Sequence, residues 1–225
     1  MSNSNTNAAK LIIENIQLLE QANNLLNGEL SEKIFNAVDN LIEEFVENFN
    51  DDSLIGSYDF HENETWFLSS KWKNEDFDFE DSKTWKNLYA FYELTNEGEN
   101  DETNNWWLTN FFINDNDRMI LNFALWKNGF NKTFAKEWKE FVIAMNKQYP
   151  QIEQLGFKFN PEGNWYLLIT SLDKQTVIYN YEHNTLEDAL TPITDALDKL
   201  KQAHPYFDEI VQAAIAKFGL IENEE

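Results

Sequence analysis

The chain has 225 residues, 42% hydrophobic and 15% aromatic, which is enough apolar material for a sizeable core and too much for a disordered chain. It contains no cysteine, which excludes a disulfide scaffold, and no apolar run near the roughly 18 residues that span a bilayer. Seventeen lysines and arginines stand against forty aspartates and glutamates, a net charge of −23, and such a chain repels phosphate and anionic membrane while favouring cationic partners.

The opening MSNSNTNAAK has no charged stretch followed by an apolar one, so no secretory signal is expected and a cytoplasmic location is. Residues 8–27 predict a helix: Ile12, Ile16, Leu19 and Leu26 keep helical spacing, and Gly28 stops it. Ser31 caps a second helix, in which Ile34, Val38, Leu41, Phe45 and Phe49 form an apolar stripe and Glu43, Glu44 and Glu47 face away. The short link predicts an antiparallel helical hairpin over residues 1–50, covering a sheet.

The pattern then changes to aromatic and β-branched residues. Leu54–Phe60 and Thr65–Trp72 predict two strands joined at His61–Glu64. Residues 73–84 form an acidic loop or sheet edge, Trp85–Leu94 is again strand-like, and residues 95–105 have no apolar member and make a solvated loop. Trp106–Ile113 and Arg118–Trp126 predict a hairpin about Asn114–Asp117.

Residues 132–149 predict a helix with Phe134, Trp138, Phe141, Val142 and Met145 on one side, ended by Pro150. Phe157–Phe159, Trp165–Leu172 and Thr176–Tyr181 predict three more strands. Thr185 caps a short turn, Thr191–Pro192 starts a helix, and His204–Pro205 starts another that stops at Gly219 before a polar tail. The expected fold is one α+β domain over residues 1–225: the hairpin, an acidic and aromatic-rich region at 51–131 in a largely antiparallel sheet of about six to eight strands, and a closing section at 132–225 ending in helices.

Few motifs carry chemistry. His61, His183 and His204 lack metal-ligand spacing, and no GxGxxG, GxxxxGK[ST] or GxSxG occurs. No cofactor and no metal are expected. One pattern favours an enzyme: Asp59 at a strand end and the triplet Asp81–Ser82–Lys83 fit the acid and D-x-K arrangement of metal-dependent restriction-type nucleases, active or catalytically degenerate. Forty acids make a chance match easy, and the better strand ends Ser69–Ser70–Lys71, with serine in place of the acid. Paired carboxylates for glycoside cleavage are equally easy to nominate in such a chain.

The placement of charge says more. Residues 51–117 hold seventeen acids against four bases, together with fifteen aromatics from Tyr58 to Phe112. In the run Asp76 to Ser82, Asp76, Asp78 and Glu80 alternate with Phe77 and Phe79. An extended strand would line the acids on one face, roughly 6.6–7 Å apart, near the phosphate spacing of one nucleic-acid strand. Glu97, Glu99, Asp101 and Glu102 form a second acidic group. The expected partner-binding residues are therefore Asp76, Asp78, Glu80, Asp81, Glu97, Glu99, Asp101 and Glu102. The expected function is a non-enzymatic, DNA-mimicking inhibitor of the immunity, anti-restriction or anti-defence type. Its partner would be a basic protein such as a nuclease or nucleic-acid-binding protein, with no direct nucleic-acid or membrane binding. Arg118 as the only arginine fits a chain that does not itself bind nucleic acid.

Overall fold

A computed structural model describes residues 2–49, 54–61, 64–97, 107–114, 118–131 and 133–221. Among them, six strands form one antiparallel sheet: β1 (Leu54–Tyr58), β2 (Thr65–Ser69), β3 (Ala90–Asn96), β4 (Met119–Leu125), β5 (Lys158–Asn160) and β6 (Asn164–Leu168). Their order is β1-β2-β3-β4-β6-β5. Every residue of β2 and β4 is buried, so these segments carry apolar side chains on both faces.

The register sets Phe67, Tyr92, Phe123 and Trp165 side by side across β2, β3, β4 and β6. The last helix, α7 (Thr191–Phe218), lies on that aromatic rank. Phe207 stacks on Phe123 with centroids 4.1 Å apart, and His204 stacks on Trp72 at 5.2 Å. Trp72 Nε1 also donates to Asp208 Oδ1 at 2.9 Å. Pro205 sits inside this helix rather than at the start of a new one. It removes one helical hydrogen bond, while burial of Leu200, Ala203, Phe207 and Ile210 on both sides holds the helix in one piece.

The helix α3 (Glu29–Glu47) covers the same face beside α7 and buries Ile34, Val38 and Ile42. Asp39 ties it to the β1–β2 hairpin: its carboxylate accepts from Phe60 N at 2.9 Å and from the Thr65 hydroxyl. Burial pushes this carboxyl above the usual range, and the two hydrogen bonds oppose that shift. The preceding helices α1 (Ser2–Glu14) and α2 (Ile16–Leu26) stand largely clear of the core: no residue of α2 is fully buried, and only its last residue, Leu26, packs against the core. The expected helix 8–27 thus exists, extended towards the start of the chain, but of the N-terminal helices only α3 lies on the sheet.

Four expectations are corrected. Trp107–Phe112 is 3-10 helix, not the first strand of a hairpin; β4 pairs with β3 and β6 instead. Ser82–Asn87 is also 3-10, which shortens the strand expected at Trp85 to β3. Thr176–Tyr181 belongs to the helix α6 (Lys174–His183). Asp173 caps it by accepting from Thr176 N and Oγ1 at 2.8 and 2.7 Å, and this local capping outweighs the β-branched composition. In α4 (Ala135–Gln148), Trp138, Phe141 and Val142 are buried as expected, but Phe134 precedes the helix and is exposed; Pro150 opens the short α5 (Pro150–Gln154).

Candidate binding site: an acidic, aromatic cleft

Side chains alternate along a strand, so the neighbours of the aromatic rank face away from α7. They form a second rank: Trp66, Glu93, Asn122 and Tyr166, with Phe91, Ala124 and Asn164 aligned beside it. A cleft of about 500 Å³ opens over Trp66, Phe91, Glu93, Ala124 and Asn164. Trp85 and Trp126 wall it, Glu64 and Glu162 line it and are exposed, and Lys127 is its one cationic lining residue among those described. Trp66 meets Phe91 edge to face at 5.6 Å and Trp85 at a tilt at 5.6 Å, and Trp85 meets Trp126 edge to face at 5.7 Å.

Glu93 lies on the cleft floor in an otherwise apolar run of β3. It accepts from Asn122 Nδ2 at 2.7 Å. Burial pushes its carboxyl above the ordinary glutamate range; the Asn122 bond pulls the other way, and the charge of Glu64 pushes it further up. Three polar atoms at this site are buried without a hydrogen-bond partner: Nε1 of Trp85, Nε1 of Trp126 and Oδ1 of Asn122. Orphans of this kind are uncommon, each costing roughly 1–3 kcal/mol.

The acidic segment borders this cleft. Phe77 and Phe79 pack on Trp66 at 5.9 and 4.6 Å, which fixes residues 76–80 beside it. Asp76, Asp78, Glu80 and Asp81 are exposed, Phe77 is buried and Phe79 half-buried, so the expected alternation holds in burial. The backbone, however, is not a strand. Asp78 Oδ1 accepts from Glu80 N, Asp81 Oδ1 accepts from Lys83 N, and the Thr84 hydroxyl binds Asp78 and Asp81 backbone atoms. The segment is a closed loop, and an even phosphate-like spacing of carboxylates is not built.

Glu97 has a different role from the one expected. It pairs with Arg118 Nε at 3.1 Å and Lys158 Nζ at 3.4 Å, with its side chain 20% exposed. The only arginine is thus used in a structural ion pair. Glu99, Asp101 and Glu102 lie outside the described residues. The nuclease triplet Asp81–Ser82–Lys83 begins a 3-10 turn rather than a strand. Among the described residues, no group of three or more His, Asp or Glu is gathered to hold a metal ion. His204 is a core residue, and His183 bonds Tyr179 O within α6.

The cleft residues Glu93, Trp126 and Glu162, and Asn122 that holds Glu93, were not expected from sequence. A signal existed: a lone glutamate in FYELT and a lone asparagine in ILNFA break otherwise apolar strands. Compared with protein-family models, with curated proteins and with solved structures, the chain matches none.

Proposed function

We propose that the protein is a non-enzymatic binding protein that captures a basic partner protein on this face, seating a lysine or arginine side chain in the cleft. The observation that carries the reading is the junction at Trp66: the exposed acids of residues 76–81 lie beside a tryptophan-walled cleft with the half-buried carboxylate of Glu93. A cation over a tryptophan face gains about 0.5–2 kcal/mol, and Glu93 supplies the charge that a desolvated cation needs. The acids around the rim speed encounter with a basic surface. A nuclease or another nucleic-acid-binding protein presents such side chains in its groove, and occupancy of that groove would inhibit it.

The test is titration with an arginine-rich nonapeptide against a neutral peptide of equal length, read by tryptophan fluorescence. Binding of the basic peptide is expected to change the emission and to weaken as salt rises from about 0.05 to 0.2 M. Glu64→Gln with Glu162→Gln should weaken it more than Glu187→Gln with Asp188→Asn, which removes the same charge elsewhere. Equal loss from both pairs, or unchanged emission, would reject the cleft as the site.

A further inference from the structure

The segment before α3 has a composition unlike the rest of the chain. Residues 1–28 carry only three charged side chains, Lys10, Glu14 and Glu20, in a protein of net charge −23, and Lys10 pairs with Glu14 at 3.7 Å. The other residues of α1 and α2 are Asn, Gln, Ser, Thr, Ala, Leu and Ile. Hydrogen bonds cross the break at Asn15, whose N donates to Leu11 O and whose O accepts from Leu19 N, so α1 and α2 form one rod.

That rod is strongly apolar and uncovered. Leu11, Ile13, Ile16, Leu18 and Leu25 are 50–74% exposed, and Ile12 and Leu19 are 48% and 44% exposed. Ile12, Ile16, Leu19 and Asn23 follow the alternating four–three spacing of a paired-helix seam, which Leu26 continues to the point where it packs on the core, and one asparagine among apolar seam positions is a device that fixes pairing register. A rod exposing this much apolar surface, and so little charge, is out of keeping with a monomer.

We infer that two copies of this chain associate through their α1–α2 rods. Charge selects the occupant. Two copies repel over every other acidic surface, whereas the rods meet with almost no like charge between them. A charged partner protein finds little complementary charge on the rod, where Lys10 and Glu14 pair with each other and Glu20 is the one other charged side chain. A membrane-surface helix carries lysines and arginines on its polar side, and only Lys10 is present here. The exposed leucines and isoleucines offer on the order of 700 Å² per copy, against roughly 800 Å² per partner in a stable interface.

The experiment is sedimentation equilibrium on the full chain from about 1 to 100 μM, with liposome flotation on phosphatidylcholine vesicles beside it. The wild type is expected to reach twice its 26.6 kDa mass within this range and to stay off the vesicles. Ile16→Glu with Leu19→Glu should weaken association at least a hundredfold without altering the melting temperature, because neither side chain is buried in the core. Gln17→Glu with Gln21→Glu adds the same charge on the polar side and should leave the dimer in place. A wild type that remains monomeric at 100 μM would overturn the proposal. Equal dissociation by both pairs of substitutions, or flotation with the vesicles, would do so too.

Discussion

Tyr92 on the third strand and His204 on the last helix meet inside the core, Oη to Nδ1 at 2.8 Å. This bond joins the central sheet to the helix that covers it, at the residue just before Pro205. Tyr92→Phe keeps the ring and removes the bond. It is expected to cost about 1–2 kcal/mol in urea unfolding with the slope unchanged. A cost near zero would mean that ring packing alone seats the helix.

On α3, the apolar stripe is graded. Ile42 is fully buried, whereas Phe45 is half-buried and meets Phe67 edge to face at 6.1 Å. Ile42→Ala should therefore destabilise by about 2–5 kcal/mol, and Phe45→Ala by less than its size alone implies. Thermal melts of the two variants check the ranking; a larger loss at Phe45 would contradict this packing.

Glu93 makes stability depend on pH in a defined direction. Burial raises its folded carboxyl above the unfolded value, so between those values the folded state holds more protons. The associated stability is present below the unfolded pKa and is lost as pH rises through the folded one. Glu93→Gln keeps an acceptor for Asn122 but cannot ionise. Its melting temperature at pH 7 should exceed the wild type's, and the difference should shrink towards pH 4. A difference that grows on acidification would reverse the assignment.

The loop acids separate charge from fold. Replacing Asp76, Asp78, Glu80 and Asp81 with Asn or Gln should leave stability nearly unchanged, since all four are exposed and mutually repulsive. Binding of the basic peptide should weaken, mainly through slower association, and its salt dependence should flatten. The matched set Glu187, Asp188, Asp195 and Asp198 controls for total charge. Identical binding by both quadruple variants would reduce the loop to a solvated surface.

Phe77→Ala tests the attachment of that loop. The phenylalanine is 7% exposed against Trp66, so truncation should cost about 3 kcal/mol or more and free the acids from the cleft rim. Its effect on peptide binding should match the quadruple variant although no charge is lost. Unchanged binding at a temperature where the variant is folded would show that rim and cleft act independently.

Much of the framework was legible in the chain. Period-3.6 stripes marked α3 and α4, aromatic and β-branched residues marked β2 and β4, and Asp76–Glu80 announced its alternating burial because charge seeks water wherever the backbone runs. What the sequence could not set was the path of segments whose local preferences were weak or divided. The loop at 76–84 winds around Thr84 instead of extending, because Trp66 gathers both phenylalanines. Val177 lies in a helix because the Asp173 cap acts on that turn. The cleft's assembly was not legible, for a stronger reason. Trp66, Glu93, Asn122 and Tyr166 are far apart in sequence and become neighbours only through the register of four strands, which is set by burying the opposite rank, Phe67, Tyr92, Phe123 and Trp165, beneath α7.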